Sequence, residues 1–286
     1  MANLKEIRNR ISSISSTMQI TSAMKMVSAS KLKKAQDAVT AMRPYSSKLT
    51  ELLQNLSTPL DGEQAGIYSV QRKVSNVLLV VVTSNRGLCG GFNSSIVKET
   101  IRVTENKYQN ANVDLLTIGK KGNDILSKTY SIIDKEDTIY NALTFENAAK
   151  IGNKIINLYL EGTYDAIEII YNQFKNAATQ IPQVEQFLPI KPIKKNPASN
   201  SDAIFEPSRE KIVLKLIPKS LKTQLYKAIS DSFASEHGAR MTAMHKATDN
   251  ATELRDDLLL TYNKARQAAI TNEILEIVGG AEALNN

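Results

Sequence analysis

Glycine loops, two histidines, one cysteine and an acidic pair are the residues whose types could do chemistry. Gly87-Leu88-Cys89-Gly90-Gly91 follows an apolar run and precedes a helical pattern. That is where α/β folds hold phosphate on the N–H groups of a helix N-terminus. Its spacing matches neither G-x-G-x-x-G nor G-x-x-x-x-G-K-[ST], and no Lys-Ser/Thr follows Gly91. Gly119-Lys120-Lys121-Gly122 is too short for either. Both read as tight turns requiring positive φ. His237 and His245 stand eight apart, too far to share a metal ion through i, i+4 geometry. Cys89 has no histidine near it in sequence and reads as a small buried hydrophobe. Asp256 and Asp257 point to different helix faces. No catalytic, cofactor or metal set emerges, so the chain reads as one that binds partners.

The elements that carry these residues are bounded by composition. The 286 residues are 42% hydrophobic and 23% charged, which excludes wholesale disorder and collagen. Aromatics are 6%, without Trp, so a large core must be aliphatic. A single cysteine excludes an intramolecular disulfide and fits a reducing compartment. Val77–Val82, six residues, is far short of the ~20 that a spanning helix needs. The opening MANLKEIRNRISS is basic and amphipathic but has no apolar stretch of the secretory kind, and its pattern runs on as structure. The sequons at Asn55, Asn93 and Asn250 read as chance matches.

Charge is unevenly placed. Residues 1–56 hold nine basic and three acidic side chains, a net of +6 out of +7 for the whole chain. A basic helix suits nucleic acid, an anionic membrane surface or an acidic protein partner. Steps of three and four from Leu4 pass through Ile7, Ile11, Ile14, Met18, Thr21, Lys25, Ser28, Leu32, Ala35, Val39, Met42, Ser46, Leu49, Leu53 and Leu56, a sustained heptad seam. Its polar members Thr21, Lys25 and Ser28 predict a drift of the apolar face toward Met24, Met26 and Val27. Pro44 predicts a kink or break. A second, alanine-rich seam runs from Met244 through Ala247, Ala251, Leu254, Leu258, Thr261, Ala265, Ala268, Asn272 and Leu275. The forty residues between Gly238 and Gly279 contain no Gly or Pro, ~60 Å of helix. Two such helices bury their stripes most economically as an antiparallel coiled coil.

The middle alternates strand and helix. Val77–Val82, Val113–Ile118 and Ala166–Tyr171 read as strands, and 94–108 and 146–159 as helices. This predicts a parallel, doubly wound sheet. The expected organisation is a shaft from 1–56 and 208–286, an α/β domain at 74–190, and a proline-bearing surface linker at 191–207. Ser220 and Leu221, after Pro218, mark where the last helix could begin uninterrupted.

Four stretches carry a resemblance to the γ subunit of rotary F-type ATP synthases of bacterial type. The first is Ile7-Arg8-Asn9-Arg10-Ile11 with the run from Ile20 to Lys31 (ITSAMKMVSASK), and the second is Arg43-Pro44-Tyr45. The third runs from Ser84 to Asn93 (SNRGLCGGFN). The fourth is the last helix: Glu236 to Met244, Ala247-Thr248-Asp249-Asn250, and Tyr262 to Thr271 (YNKARQAAIT). The resemblance implies a coiled-coil shaft of N- and C-terminal helices inside a ring of α and β subunits, with a Rossmann-like α/β domain outside it toward the membrane. It implies a central rotor that couples proton-driven turning of the c ring to ATP synthesis on β and regulates activity and ion flow. This chain would carry no catalytic residue and no cofactor. The implied partners are α, β, ε and the c ring, with no nucleic acid. Membrane association would come through the complex alone, at the cytoplasmic face of the bacterial plasma membrane.

By the same resemblance Met24, Lys25, Arg240, Arg266, Gln267 and Thr271 contact β. Arg86, Gly87, Leu88, Cys89, Gly90 and Gly91 lie at the foot of the shaft near β and ε, and Ile204 and Phe205 lie nearest the c ring. A basic shaft in an acidic ring would be attracted at every angle, and its surface should avoid large apolar contacts that would lock it. Gly238, where the family usually has alanine, costs a helix roughly 0.5–1 kcal/mol. Lys246, Asn272 and the 191–205 insert also depart from the family's pattern. The alternative reading is a basic coiled-coil adaptor for nucleic acid or an acidic protein.

Overall fold

The computed structural model describes residues 4–56, 67–68, 72–190 and 209–284. Helix α1 spans Leu4–Leu56. Strand β1 (Asn76–Val82), helix α2 (Phe92–Lys107), strand β2 (Asn112–Ile118), helix α3 (Lys120–Leu126) and strand β3 (Ser131–Glu136) follow. A 3-10 turn (Thr138–Asn141), helix α4 (Phe145–Leu160), strands β4 (Ala166–Phe174) and β5 (Gln180–Leu188), and helix α5 (Arg209–Leu284) complete the chain. The expected linker at 191–207 lies outside the described residues.

Two compact units emerge: Met1–Val27 with Met241–Asn286, and Ser28–Arg240. In the first, α1 and α5 pair side by side. Arg8 Nη2 donates to the Tyr262 hydroxyl at 2.6 Å, Thr252 Oγ1 approaches Met18 Sδ at 3.3 Å, and Thr21 Oγ1 meets Thr248 Oγ1 at 2.9 Å. The partner number falls as α1 ascends, so the helices are antiparallel. Every described seam position of α1, from Leu4 to Leu49, is buried or half-buried. The predicted drift does not occur. Thr21 and Ser28 stay buried on the seam, while Met26 and Val27 are 65% and 58% exposed. The threonine pair supplies the reason, because a polar seam residue is tolerated where a hydroxyl across the seam answers it.

The second seam is half as predicted. Met244, Ala251, Leu258 and Ala265 lie inward, but the alternate positions are Thr248, Arg255 and Tyr262. Leu254 is 51% exposed and Thr261 is exposed. Arg255 and Tyr262 are long enough to lay their stems and rings along α1 while keeping polar tips wet. Ala247 stays half-buried beside Thr248.

In the second unit five strands form one sheet in the order β3-β2-β1-β4-β5. β1 runs parallel to β2 and β4, and β2 to β3, whereas β5 is antiparallel to β4. The sheet is therefore mixed rather than purely parallel. The antiparallel edge arises because β4 and β5 are joined by a short hairpin turn, which cannot return a parallel strand. Alternation along β1 divides the core. Leu78, Val80 and Val82 face Ile151 and Ile155 of α4 and Leu221, Leu225 and Ile229 of α5. Val77, Leu79 and Val81 face Ile96, Val97 and Val103 of α2 and Leu126 of α3. Helices on both faces make the sheet doubly wound, in the Rossmann-like manner expected.

Helix α1 is not broken at Pro44, and α5 starts eleven residues before Ser220 and continues through Pro218. Leu49 beyond Pro44 and Ile217 beside Pro218 are buried, so tertiary packing offsets the missing hydrogen bond. Gly238 likewise sits inside continuous helix. A Cβ there would stand 3.1 Å from Ala177 Cα and 3.4 Å from Phe174, so the glycine lets the β4–β5 turn approach the helix. No helix among the described residues is long and apolar enough to cross a membrane.

Candidate functional site

The Thr83–Gly91 loop leaves the carboxyl end of β1 and enters α2. Two residues take left-handed backbone, Gly90 at φ 57° and Leu88 at φ 61°. The glycine answers the expected tight turn. The leucine was not anticipated: a non-glycine residue there is strained, and its side chain is 65% exposed. Within the loop the Ser84 hydroxyl donates to Arg86 O at 2.7 Å, and Asn93 Oδ1 accepts from Ser84 N at 3.0 Å. Asn93 Nδ2 approaches Cys89 Sγ at 3.2 Å. Cys89 is 2% exposed and packs with Phe92 and Ala239. Burial pushes its thiol pKa up, with smaller opposing pulls from Ser84 and Arg240, so it is no activated nucleophile. The Gly119–Gly122 pair is structural as well. A Cβ on Gly119 would lie 2.2 Å from Thr83 O, and one on Gly122 would lie 2.7 Å from Thr83 Oγ1.

Arg240 comes to this loop from α5. Its side chain is only 8% exposed and pairs with Glu236 Oε1 at 2.7 Å. Nη2 donates to Arg86 O at 3.1 Å and to Gly87 O at 3.4 Å. His237 lies at 3.4 Å from Arg240 Nη1 and edge-on to Phe233. Burial first, then Arg240 and Lys31, lowers the His237 pKa to about 3, so the ring is neutral. Burial also raises the Glu236 carboxyl pKa, against the downward pull of Arg240, Lys31 and Arg86. Sequence reading missed Glu236 and Lys31; the i, i+4 spacing of Glu236 and Arg240 was the signal available.

The predicted contact residues thus fall into separate groups. Met24 and Lys25 are half-buried on α1. Arg266, Gln267 and Thr271 are exposed on α5, with the Thr271 hydroxyl donating to Gln267 O at 3.0 Å. Arg240 alone joins the Arg86–Gly91 loop. Ile204 and Phe205 lie outside the described residues. From Arg266 onward every described position of α5 is exposed, including Ile270 at 49%, Ile274 at 54%, Leu275 at 63% and Ile277 at 66%. This corrects the expectation of an outer surface without large apolar contacts. Arg8, near the start of the described part of α1, lies opposite Tyr262, and the described part of α5 continues from there to Leu284.

Residues 3–284 match the family described as ATP synthase. The chain is 70% identical over 285 residues to the ATP synthase gamma chain of Flavobacterium psychrophilum, covering 99% of each chain. It is 71% identical over 286 residues to that of Flavobacterium johnsoniae, covering all of both. Among solved structures it resembles a chain of the central stalk and c-ring structure of Tetrahymena thermophila mitochondrial ATP synthase. That likeness has 28% identity and a TM-score of 0.61, over 80% of this chain and 99% of that one. It shares its fold with a chain of the Euglena gracilis mitochondrial ATP synthase structure containing OSCP, F1 and c-ring, at 24% identity and a TM-score of 0.73, covering 98% and 94%. The reading as a nucleic-acid adaptor gains no support from these relatives. An antiparallel two-helix seam, a doubly wound domain and whole-length likeness to bacterial γ chains agree: the chain belongs to the γ chain family of ATP synthases, the central-stalk rotor subunit that is not itself catalytic.

Proposed function

We propose that this chain is the shaft through which rotation of a c ring, driven by proton flow, is delivered to nucleotide sites on β subunits, within a complex that also holds α and ε. The shaft would comprise 1–56 and 208–286, the α/β domain 74–190, and a linker 191–207. The observation that carries the reading is the stretch of α5 from Arg266 onward, whose described positions are all exposed and bear Arg266, Gln267 and Thr271 together with an apolar row. Such a surface is unstable in water unless covered, and a ring of partner subunits would cover it on all sides. Met24 and Lys25 would meet β, with Ile20, Met26 and Val27 as exposed apolar neighbours. The Arg86–Gly91 loop would meet β or ε, and Arg240 would act on a partner through that loop. Ile204 and Phe205 would lie toward the c ring. The complex would sit at the cytoplasmic face of the bacterial plasma membrane.

Co-purification with the cognate α and β subunits, followed by ATP hydrolysis with and without this chain, tests the reading. One copy per complex and turnover that depends on it are expected. Replacing Arg266 and Gln267 by alanine should lower that turnover while the chain's circular dichroism stays unchanged. Assembly and full turnover of α and β without this chain would overturn the proposal.

A further inference from the structure

In an open α/β sheet, ligands bind in the crevice outside the carboxyl ends of the strands, where the winding reverses. Here the reversal lies between β1 and β4, because the chain moves from β1 to β2 and β3 and then returns to the other side of β1. The walls of that crevice are the Thr83–Gly91 loop after β1 and the end of β4 at Asn172–Phe174. Helix α5 lies in it. Ser235 Oγ donates to Asn172 O at 3.0 Å, and Asn172 Nδ2 donates to Phe92 O at 3.0 Å. Gly238 faces Ala177 and Phe174, while Ala239 packs on Cys89 and Phe92. Arg240 then closes the loop through the carbonyls of Arg86 and Gly87. A phosphate-binding loop turns N–H groups toward its anion. This loop turns two carbonyl oxygens toward a cation.

We propose that the ligand crevice of this sheet is permanently occupied by the chain's own α5, with the Arg240 guanidinium as its internal ligand, and that Arg240 is a positioning residue fixing the shape of the Arg86–Gly91 loop. The positioning half rests on reading that loop as a partner contact. The planar guanidinium suits the task because it holds Glu236 on one arm and loop carbonyls on the other. A lysine ammonium keeps the charge but loses the fork.

Cys89 is the only cysteine of the chain and lies buried within this loop, so its thiol is a built-in reporter. The full-length chain is labelled with a maleimide, as wild type and as Arg240→Lys, Arg240→Ala and Glu236→Gln, with circular dichroism recorded for each. Losing a charged hydrogen-bond donor at the loop should accelerate labelling about tenfold in Arg240→Lys and more in Arg240→Ala. Glu236→Gln leaves the carbonyl bonds in place and should stay within about twofold of wild type. Should the alanine variant lose its circular dichroism, the lysine variant decides alone. Wild-type labelling in Arg240→Lys overturns the assignment, as does a Glu236→Gln rate equal to that of Arg240→Lys. ATP turnover of complexes rebuilt with α and β separates the two halves. Faster labelling with unchanged turnover keeps the crevice assignment and removes the loop's role toward a partner, whereas faster labelling with lowered turnover supports both.

Discussion

The hydroxyl oxygens of Thr21 and Thr248 lie 2.9 Å apart across the seam between α1 and α5. Each hydroxyl also serves its own helix, Thr21 toward Met18 O at 3.1 Å and Thr248 toward Met244 O at 2.8 Å. Two protons therefore serve three contacts. Thr21→Val, nearly equal in shape, should cost about 1 kcal/mol by removing the cross-seam bond, while the Thr248 hydroxyl keeps Met244 O. The double replacement Thr21→Val with Thr248→Val should cost less than the two single changes together. Urea unfolding of the four proteins closes the cycle, and strict additivity would show that the hydroxyls are not coupled.

Gly119 and Gly87 make a contrast. Gly119 has φ +101° and a Thr83 backbone oxygen where a Cβ would go, whereas nothing lies within 4 Å of a Cβ on Gly87. Gly119→Ala should destabilise the α/β domain by more than about 3 kcal/mol, by clash and backbone strain together. Gly87→Ala should remain within about 1 kcal/mol of wild type. Thermal melts compare the two directly.

His237 and Glu236 pull the acid response in opposite directions. The His237 pKa falls from 6.5 to about 3 on folding, so its contribution is whole above pH 6.5 and is lost as pH drops toward 3. The Glu236 pKa is raised above 4.5, so the folded state takes up its proton more readily and the cost of its buried charge fades over the same descent. Glu236→Gln should expose the histidine term alone, steepening the loss of stability below pH 6.5 toward ~1.4 kcal/mol per pH unit. His237→Gln should flatten it. Urea midpoints at pH 7, 6 and 5 are the measurement.

The apolar end of α5 yields a prediction in which stability and assembly part company. Ile270, Ile274 and Ile277 are about half exposed or more, so replacing all three by serine should change the unfolding midpoint little. Binding to cognate α and β should weaken at least tenfold, as read by co-purification and titration, because three anchoring side chains are gone. Undiminished binding would show that this end is not an interface.

Periodic elements were legible and isolated ones were not. The α1 seam was legible except at Thr21, Lys25 and Ser28, whose polarity suggested a drift although a heptad keeps its phase through them. The α5 seam was half legible, since apolar counting favours Leu254 over Arg255 although the arginine covers Met18. β3 and β5 escaped notice. β3 reads SIIDKE and carries the charges of an edge strand, and β5 contains Pro182, permitted only near an edge. Resemblance singled out Arg240 as a partner contact, but its engagement with the Arg86 carbonyl spans 154 positions and no local spacing could reveal it. Likewise Gly238 looked like a flaw in a helix until Ala177 appeared against it.

Leu88 holds a left-handed backbone and turns most of its side chain to solvent. For a leucine that conformation costs about 1–2 kcal/mol, which asparagine or glycine would largely recover. If the loop meets a partner as proposed, selection for a robust isolated chain and selection for a working assembly would favour different residues at this position. A library sorted for thermal tolerance alone should discard Leu88, and one sorted for ATP turnover of the rebuilt complex should retain it if the proposed contact is real. On the proposed reading, the position would be where this protein trades its own solidity for something it displays.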